Sequence, residues 1–189
     1  MNLHTFLQEQ LAAVPIANAN YEKLKQIKTK EFDFGDYKIY VHFNPARAVS
    51  SLAKLDAKSI AERPCFLCAK NRIEGQTAID FKGKYDICIN PFPICDEHFT
   101  VVSKMHEPQN IIGKMRDFID LAQAYPDFIA LYNGAKSGAS APDHMHFQLV
   151  NKDYFPYTVD TPMPGVVEKV VLISAEADAL EQQLTAEIN

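Results

Sequence analysis

Two histidines and a glutamine stand at alternate positions in His144-Met145-His146-Phe147-Gln148. In a strand, side chains repeat every two residues, so His144, His146 and Gln148 face one way and Met145, Phe147 and Leu149 the other. The preceding run, Tyr132-Asn133-Gly134-Ala135-Lys136-Ser137-Gly138-Ala139-Ser140-Ala141-Pro142-Asp143, is rich in glycine and serine and reads as a loop. Two imidazoles and an amide beside a loop rich in backbone donors suit an anionic, phosphate-like ligand. A neutral imidazole can attack phosphorus when an acceptor holds its other ring nitrogen. His146, central in the row, is the better nucleophile. Gln148 can donate an amide N–H to a non-bridging phosphate oxygen. The competing reading is an alternating strand whose residues merely happen to be histidines.

Cys65-Phe66-Leu67-Cys68 has metal-ligand spacing. A tetrahedral zinc site needs two more ligands, and His98, His106 and His144 are available. A redox pair or two buried thiols are the alternatives, although the βαβ context of a thioredoxin-like motif is missing. Cys88 lies in the apolar run Tyr85-Asp86-Ile87-Cys88-Ile89 and reads as a small buried side chain. Asn90-Pro91-Phe92-Pro93 ends that run. Asn90 could bind ligand hydroxyls or simply cap a turn. Arg47, Lys54, Arg63, Lys70 and Arg72 flank the cysteine pair, and one or two of them could reach a phosphate.

Several elements must position these residues. Residues 3–13 have apolar groups at helical spacing, which Pro15 ends. Residues 21–29 read as a strand. Residues 32–43 read as a β-hairpin turning at Gly35-Asp36. The stretch from Asn44 to Pro64 reads as irregular. Strands are expected over 85–90, 98–103, 128–132, 144–150 and 168–174, the second antiparallel to the first. Helices are expected over 109–124 and 176–187. This order implies an α+β architecture with helices packed on an antiparallel sheet. No GxGxxG or Walker loop follows a strand.

Composition sets the outer bounds. At 189 residues, one domain spanning 1–189 is the natural expectation. A net charge of −5 argues against a general nucleic-acid surface. No apolar run reaches the roughly 20 residues needed to span a bilayer, so no membrane partner is expected. Met1-Asn2-Leu3-His4 lacks the basic and apolar regions of a secretory signal, which points to the cytoplasm. Four cysteines in such a chain argue against a disulfide framework.

Taken together, Asn133-Gly134, Ser137-Gly138-Ala139-Ser140 and His144-Met145-His146-Phe147-Gln148 resemble the histidine-triad (HIT-like) superfamily. They resemble the branch in which glutamine replaces the third histidine, as in galactose-1-phosphate uridylyltransferase, diadenosine tetraphosphate phosphorylase and GDP-L-galactose phosphorylase. His98 to His106 resembles the strand of that superfamily that ends in Lys-x-His, and Cys65-x-x-Cys68 its zinc knuckle. The span from Asn44 to Gln148 also resembles an uncharacterised bacterial family of the branch, and the motif-bearing core covers about residues 40–150.

The resemblance implies a HIT-like α+β fold and a nucleotidyltransferase or phosphorylase acting on nucleoside di- or polyphosphates. His146 matches the nucleophile that becomes a covalent nucleotidyl-histidine, and Gln148 the phosphate-contacting glutamine. Cys65, Cys68, His106 and His144 match a site for one structural zinc ion. Asn90 matches a ribose contact, and Asn133, Ser137, Gly138 and Ser140 the loop around the phosphates. His98 matches a frequent histidine to which no role is assigned. The partners implied are a nucleotide and a phosphate or sugar-phosphate acceptor. Homodimers are common in the superfamily, and a HIT-type hydrolase or a non-catalytic nucleotide binder are the alternatives. The chain departs from the pattern twice. It holds a single copy of a domain that uridylyltransferases duplicate. Its step from Ser140 to His144 is one residue longer than usual, with Asp143 added.

Overall fold

The computed structural model describes residues 2–35, 38–44, 56–154 and 176–188. In chain order these hold α1 (Leu3–Ala13), α2 (Pro15–Leu24), β1 (Lys28–Asp33), β2 (Lys38–Phe43), α3 (Ala57–Glu62), β3 (Ile79–Phe81), β4 (Tyr85–Ile89), β5 (His98–Ser103), α4 (Met115–Ala124), β6 (Phe128–Leu131), β7 (His146–Asn151) and α5 (Ala177–Ile188). β1 and β2 form an antiparallel ribbon. The other five strands form one sheet in the order β3-β4-β5-β7-β6, with every neighbouring pair antiparallel. This is the α+β class that the element order implied. β7 lies between β5 and β6, so the histidine strand is hydrogen-bonded on both edges. Among the described residues no helix is long and apolar enough to cross a membrane.

Alternation decides what each side of the sheet carries. Ile87 and Ile89 on β4, Phe99 and Val101 on β5, and Phe147 and Leu149 on β7 share one face and are almost completely buried. Helices cover that face. Phe6 of α1 stacks on Phe99 with ring centroids 6.4 Å apart, and Phe118 of α4 lies 5.1 Å from Phe147. Each fully buried side chain of this kind contributes about 1.5–3 kcal/mol. The opposite face presents Cys88, His98, Thr100, His146 and Gln148.

α1 is also bonded to the chain that leads into β3. Buried Gln10 donates to Thr77 Oγ1 at 2.8 Å and accepts the Thr77 backbone N–H at 2.8 Å. Two residues before Thr77 the loop crosses the end of the helix at Gly75, whose φ is +82°. A Cβ there would stand 2.3 Å from the Ala13 carbonyl oxygen, so only glycine fits.

Several boundaries differ from those read in the sequence. Helix α1 ends at Ala13, as the run up to Pro15 implied, but Pro15 also opens α2, because at the first helical position its missing N–H costs nothing. Tyr21–Leu24 therefore ends that helix, with Ala17, Asn20, Tyr21 and Leu24 buried at helical spacing, and the strand starts only at Lys28. The stretch read as irregular contains α3, capped by the Asp56 carboxylate accepting the Ser59 N–H at 3.0 Å. Helix α4 begins at Met115 and not at 109. Gly113 takes φ +75° and Asn110 Oδ1 accepts the Ile112 N–H at 3.0 Å, so Ile111 reaches the core from a turn. β3 had no sequence signal. The hairpin closes on the pair Asp33 and Lys38, with Gly35 at φ +85°. Asp36, Arg47, Lys54 and the strand expected over 168–174 lie outside the described residues.

Candidate functional site

His144 and His146 do not share one role. His144 lies in the bend before β7, and His146 is the first residue of the strand. Both rings are buried, and burial lowers both pKa values below the usual imidazole range, which favours neutral rings. Their hydrogen bonds select opposite tautomers. His144 Nε2 lies 2.8 Å from the Ser103 carbonyl oxygen and donates to it, leaving Nδ1 bare. His146 Nδ1 lies 2.8 Å from the His144 carbonyl oxygen and donates to that, leaving Nε2 bare. Among the described residues nothing bonds His146 Nε2.

The bare His144 Nδ1 faces the cysteine pair. It is 3.2 Å from Cys65 Sγ, 3.6 Å from Cys68 Sγ and 3.3 Å from His106 Nδ1, and His106 Nδ1 is 3.3 Å from Cys68 Sγ. A tetrahedral ion held at the usual metal–sulfur and metal–nitrogen lengths spaces its ligand atoms roughly 3.3–3.8 Å apart. The four side chains thus form a cluster that could hold a metal ion. Burial pushes the Cys65 thiol up to about 11, and a bound cation reverses that penalty by stabilising the thiolate. The knuckle is held by its own bonds: the Asn71 amide donates to the Cys65 carbonyl at 2.7 Å, and the Asn71 N–H to the Cys68 carbonyl at 2.8 Å. Arg63 connects the knuckle to the histidine strand. Its guanidinium lies 4.7 Å from the Phe66 ring centre and 2.5 Å from Asp143 Oδ1. Asp143, the residue before His144, is therefore one end of an ion pair that links the knuckle to the bend before β7.

A second network surrounds Gln148. The Ile94 N–H points at His98 Nδ1 at 3.3 Å, which places the ring proton on Nε2. That proton is donated to Gln148 Oε1 at 2.7 Å. With its oxygen so occupied, the Gln148 amide presents its N–H groups elsewhere. Asn90 Nδ2 lies 3.4 Å from His98 Nε2 and 3.2 Å from Thr100 Oγ1. Two donors do not bond, so the Thr100 hydroxyl is its acceptor. Asn90 Oδ1 accepts the Phe92 N–H at 2.9 Å, the turn-cap geometry considered from sequence. β5 and β7 align Thr100 with Gln148 and Val102 with His146, which puts the rows on one face.

The loop residues are less tightly gathered. The Ser137 N–H bonds the Gly134 carbonyl at 2.9 Å, and Gly138 takes φ +91°. Among the described residues no hydrogen bond joins Ser137, Gly138 or Ser140 to His146 or Gln148. Asn133 is exposed, and its carbonyl accepts from Gln109 at 2.8 Å. Of the flanking basics, Arg63 and Arg72 pair with Asp143 and Asp86. Thr100 and Gln109 were missed from sequence. Thr100 could have been found by extending the alternation of His98 along β5. Gln109 bonds backbone atoms from a loop without periodicity, and no local signal marks it.

The family described as Domain of unknown function (DUF4922) matches residues 6–151. The chain belongs to that family. Among curated proteins, no match is found. The DUF4922 chain is similar to solved structures of yeast Ap4A phosphorylase Apa2. For one of them the identity is 17% over 83% of this chain and 55% of the other, with a TM-score of 0.44. The complex with Ap4A gives 18% identity over 72% and 50%, with a TM-score of 0.43. The complex with AMP gives 17% over 75% and 49%, with a TM-score of 0.36. The chain spans about half the length of those phosphorylase chains.

Proposed function

We propose that this chain is a nucleotidyl-transferring enzyme of the histidine-triad superfamily, of phosphorylase or nucleotidyltransferase type. Its substrate is a nucleoside di- or polyphosphate. The observation that supports this best is His146: a buried neutral imidazole with Nδ1–H bound to a carbonyl and Nε2 unclaimed. That arrangement suits nucleophilic attack on phosphorus.

His146 Nε2 attacks the α-phosphorus, and the bond to the bridging oxygen breaks as the leaving phosphate departs. The nucleotidyl group is then held on Nε2. The ring becomes cationic, and its Nδ1–H bond to the His144 carbonyl strengthens. Phosphate or a sugar phosphate attacks the same phosphorus and restores the imidazole. Gln148, with its oxygen turned to His98, directs amide N–H groups to the non-bridging oxygens as charge develops. Asn90 serves the ribose hydroxyls, and Asn133, Ser137, Gly138 and Ser140 the phosphates. The donor set of two thiolates and two imidazoles suits zinc, with Cys65, Cys68, His106 and His144 as ligands. When bound, the ion supplies structure, holding the bend before His146.

The test is intact-mass analysis after incubation with diadenosine tetraphosphate, UDP-glucose or ADP. The expected result is a nucleoside monophosphate adduct, labile in acid, that maps to His146 and disappears when phosphate is added. Absence of an adduct with all three substrates, or an adduct that persists in His146→Ala, contradicts the reading.

A further inference from the structure

At His146 the edge of β7 is open. β6 pairs with β7 only as far as Leu131 opposite Gln148, and the chain then leaves the sheet. The Met145 carbonyl points to β5, where it accepts the Ser103 N–H at 2.9 Å. By alternation the His146 N–H and C=O point to the other side, where no strand follows. The Gln109 side chain fills that place. Its Oε1 accepts the His146 N–H at 2.8 Å, and its Nε2 donates to the His146 carbonyl at 3.0 Å and to the Asn133 carbonyl at 2.8 Å. Gln109 is only 4% exposed, and these bonds use both of its amide donors and one acceptor position of its oxygen. Its own backbone is anchored as well: the Gln109 N–H donates to the Pro142 carbonyl at 3.1 Å, and the Met145 N–H to the Glu107 carbonyl at 2.7 Å.

We propose that Gln109 is a positioning residue for His146, a one-residue substitute for the missing strand that fixes the nucleophile's backbone and ties it to the start of the glycine-serine loop. It touches no reacting atom. It acts by holding the main chain in which the His144 carbonyl, two residues earlier, accepts the hydrogen bond from His146 Nδ1–H. The bond to Asn133 sets the loop against the same point, so nucleophile and phosphate loop share one anchor. This rests on the His146 reading above for its catalytic meaning and on the hydrogen bonds alone for its structural meaning.

The experiment uses the full chain labelled with 15N-histidine and 15N-glutamine, with Gln109→Met, which keeps the length and removes all three bonds, and Gln109→Glu, which keeps only the acceptor for the His146 N–H. In the wild type the His146 Nδ1 proton is observable and the Gln109 side-chain amide exchanges slowly. Gln109→Met loses the ring-proton signal, and its rate of adduct formation with diadenosine tetraphosphate falls by about 100-fold while the dissociation constant stays within about threefold. Gln109→Glu falls between the two. A ring-proton signal unchanged in Gln109→Met overturns the proposal, even if that variant melts earlier, because a purely structural role leaves the ring where it was. If neither variant folds, the wild-type amide decides: exchange at the rate of a free amide overturns the proposal, and protection supports it. If wild-type protein forms no adduct with any nucleotide, the enzymatic reading fails, and the ring-proton comparison still tests the hold of Gln109 on His146.

Discussion

On β7, Phe147 and Leu149 point into the core that α1 and α4 cover, and His146 and Gln148 point to the other side of the sheet. Phe147 is 1% exposed and His146 5%, so burial alone does not separate them. What separates them is the kind of contact. Phe147 meets rings of Tyr85, Phe118 and Tyr132 at centroid distances of 5.1–6.2 Å, contacts that depend on filled volume. His146 and Gln148 are held by single directional bonds at 2.7–2.8 Å, to the His144 carbonyl and to His98. Volume can be partly regained when neighbours relax, but a directional bond is present or absent. On the proposed reading, one face of the strand sets stability and the other carries the chemistry.

The contrast can be broken by experiment. His146→Ala should have the largest effect, lowering adduct formation and turnover by at least about 10⁴-fold. Its urea unfolding midpoint should stay near that of the wild type. If instead it loses as much stability as a core truncation, the division between the faces is wrong. Phe147→Ala comes next, costing about 3–5 kcal/mol in urea unfolding, with the folded fraction labelled by nucleotide at close to the normal rate. A rate collapse in that folded fraction would show that the aromatic face also positions the nucleophile. Gln148→Ala should slow adduct formation by about 10²–10³-fold with nucleotide binding partly kept, as for loss of one oxyanion donor. His98→Ala should follow in the same direction with a smaller loss, because it only orients that amide. A larger loss for His98 than for Gln148 would assign the chemistry to the imidazole. The smallest effect is expected for Asp143→Asn, which weakens the pair with Arg63. It should cost about 1 kcal/mol or less and, in protein loaded with zinc, speed chelator stripping of the ion, followed by atomic absorption. Unchanged stripping would free Asp143 from any role at the knuckle.

The sequence made one face of this contrast legible and part of the other. Period-two alternation marked His146 and Gln148 because β7 is a regular strand. The apolar runs marked β4 and β5 for the same reason. The cysteine spacing alone left metal, redox and buried thiols open, since the two histidines that complete the cluster come from segments distant in sequence. Pro15 was read only as a stop: it does follow the end of α1, but it also starts α2, and the buried Ala17, Tyr21 and Leu24 carry that helix into residues read as strand. The helix over 109–124 was drawn too long because Ile111 keeps the helical spacing while Gly113 breaks the backbone. Gln109 and Thr100 were invisible or nearly so, because their partners are chosen by strand pairing and chain path.

Gln10, Thr77 and Gly75 also define what could be moved as a unit. The motifs all lie between Cys65 and Gln148, so an engineer transplanting the chemistry into another scaffold would be tempted to excise only the strands. That graft would arrive with Phe99 stripped of its ring partner Phe6, with the Thr77 N–H unanswered, and with a glycine bend shaped for a helix left behind. The portable cassette starts at α1, well ahead of the first residue of the proposed site.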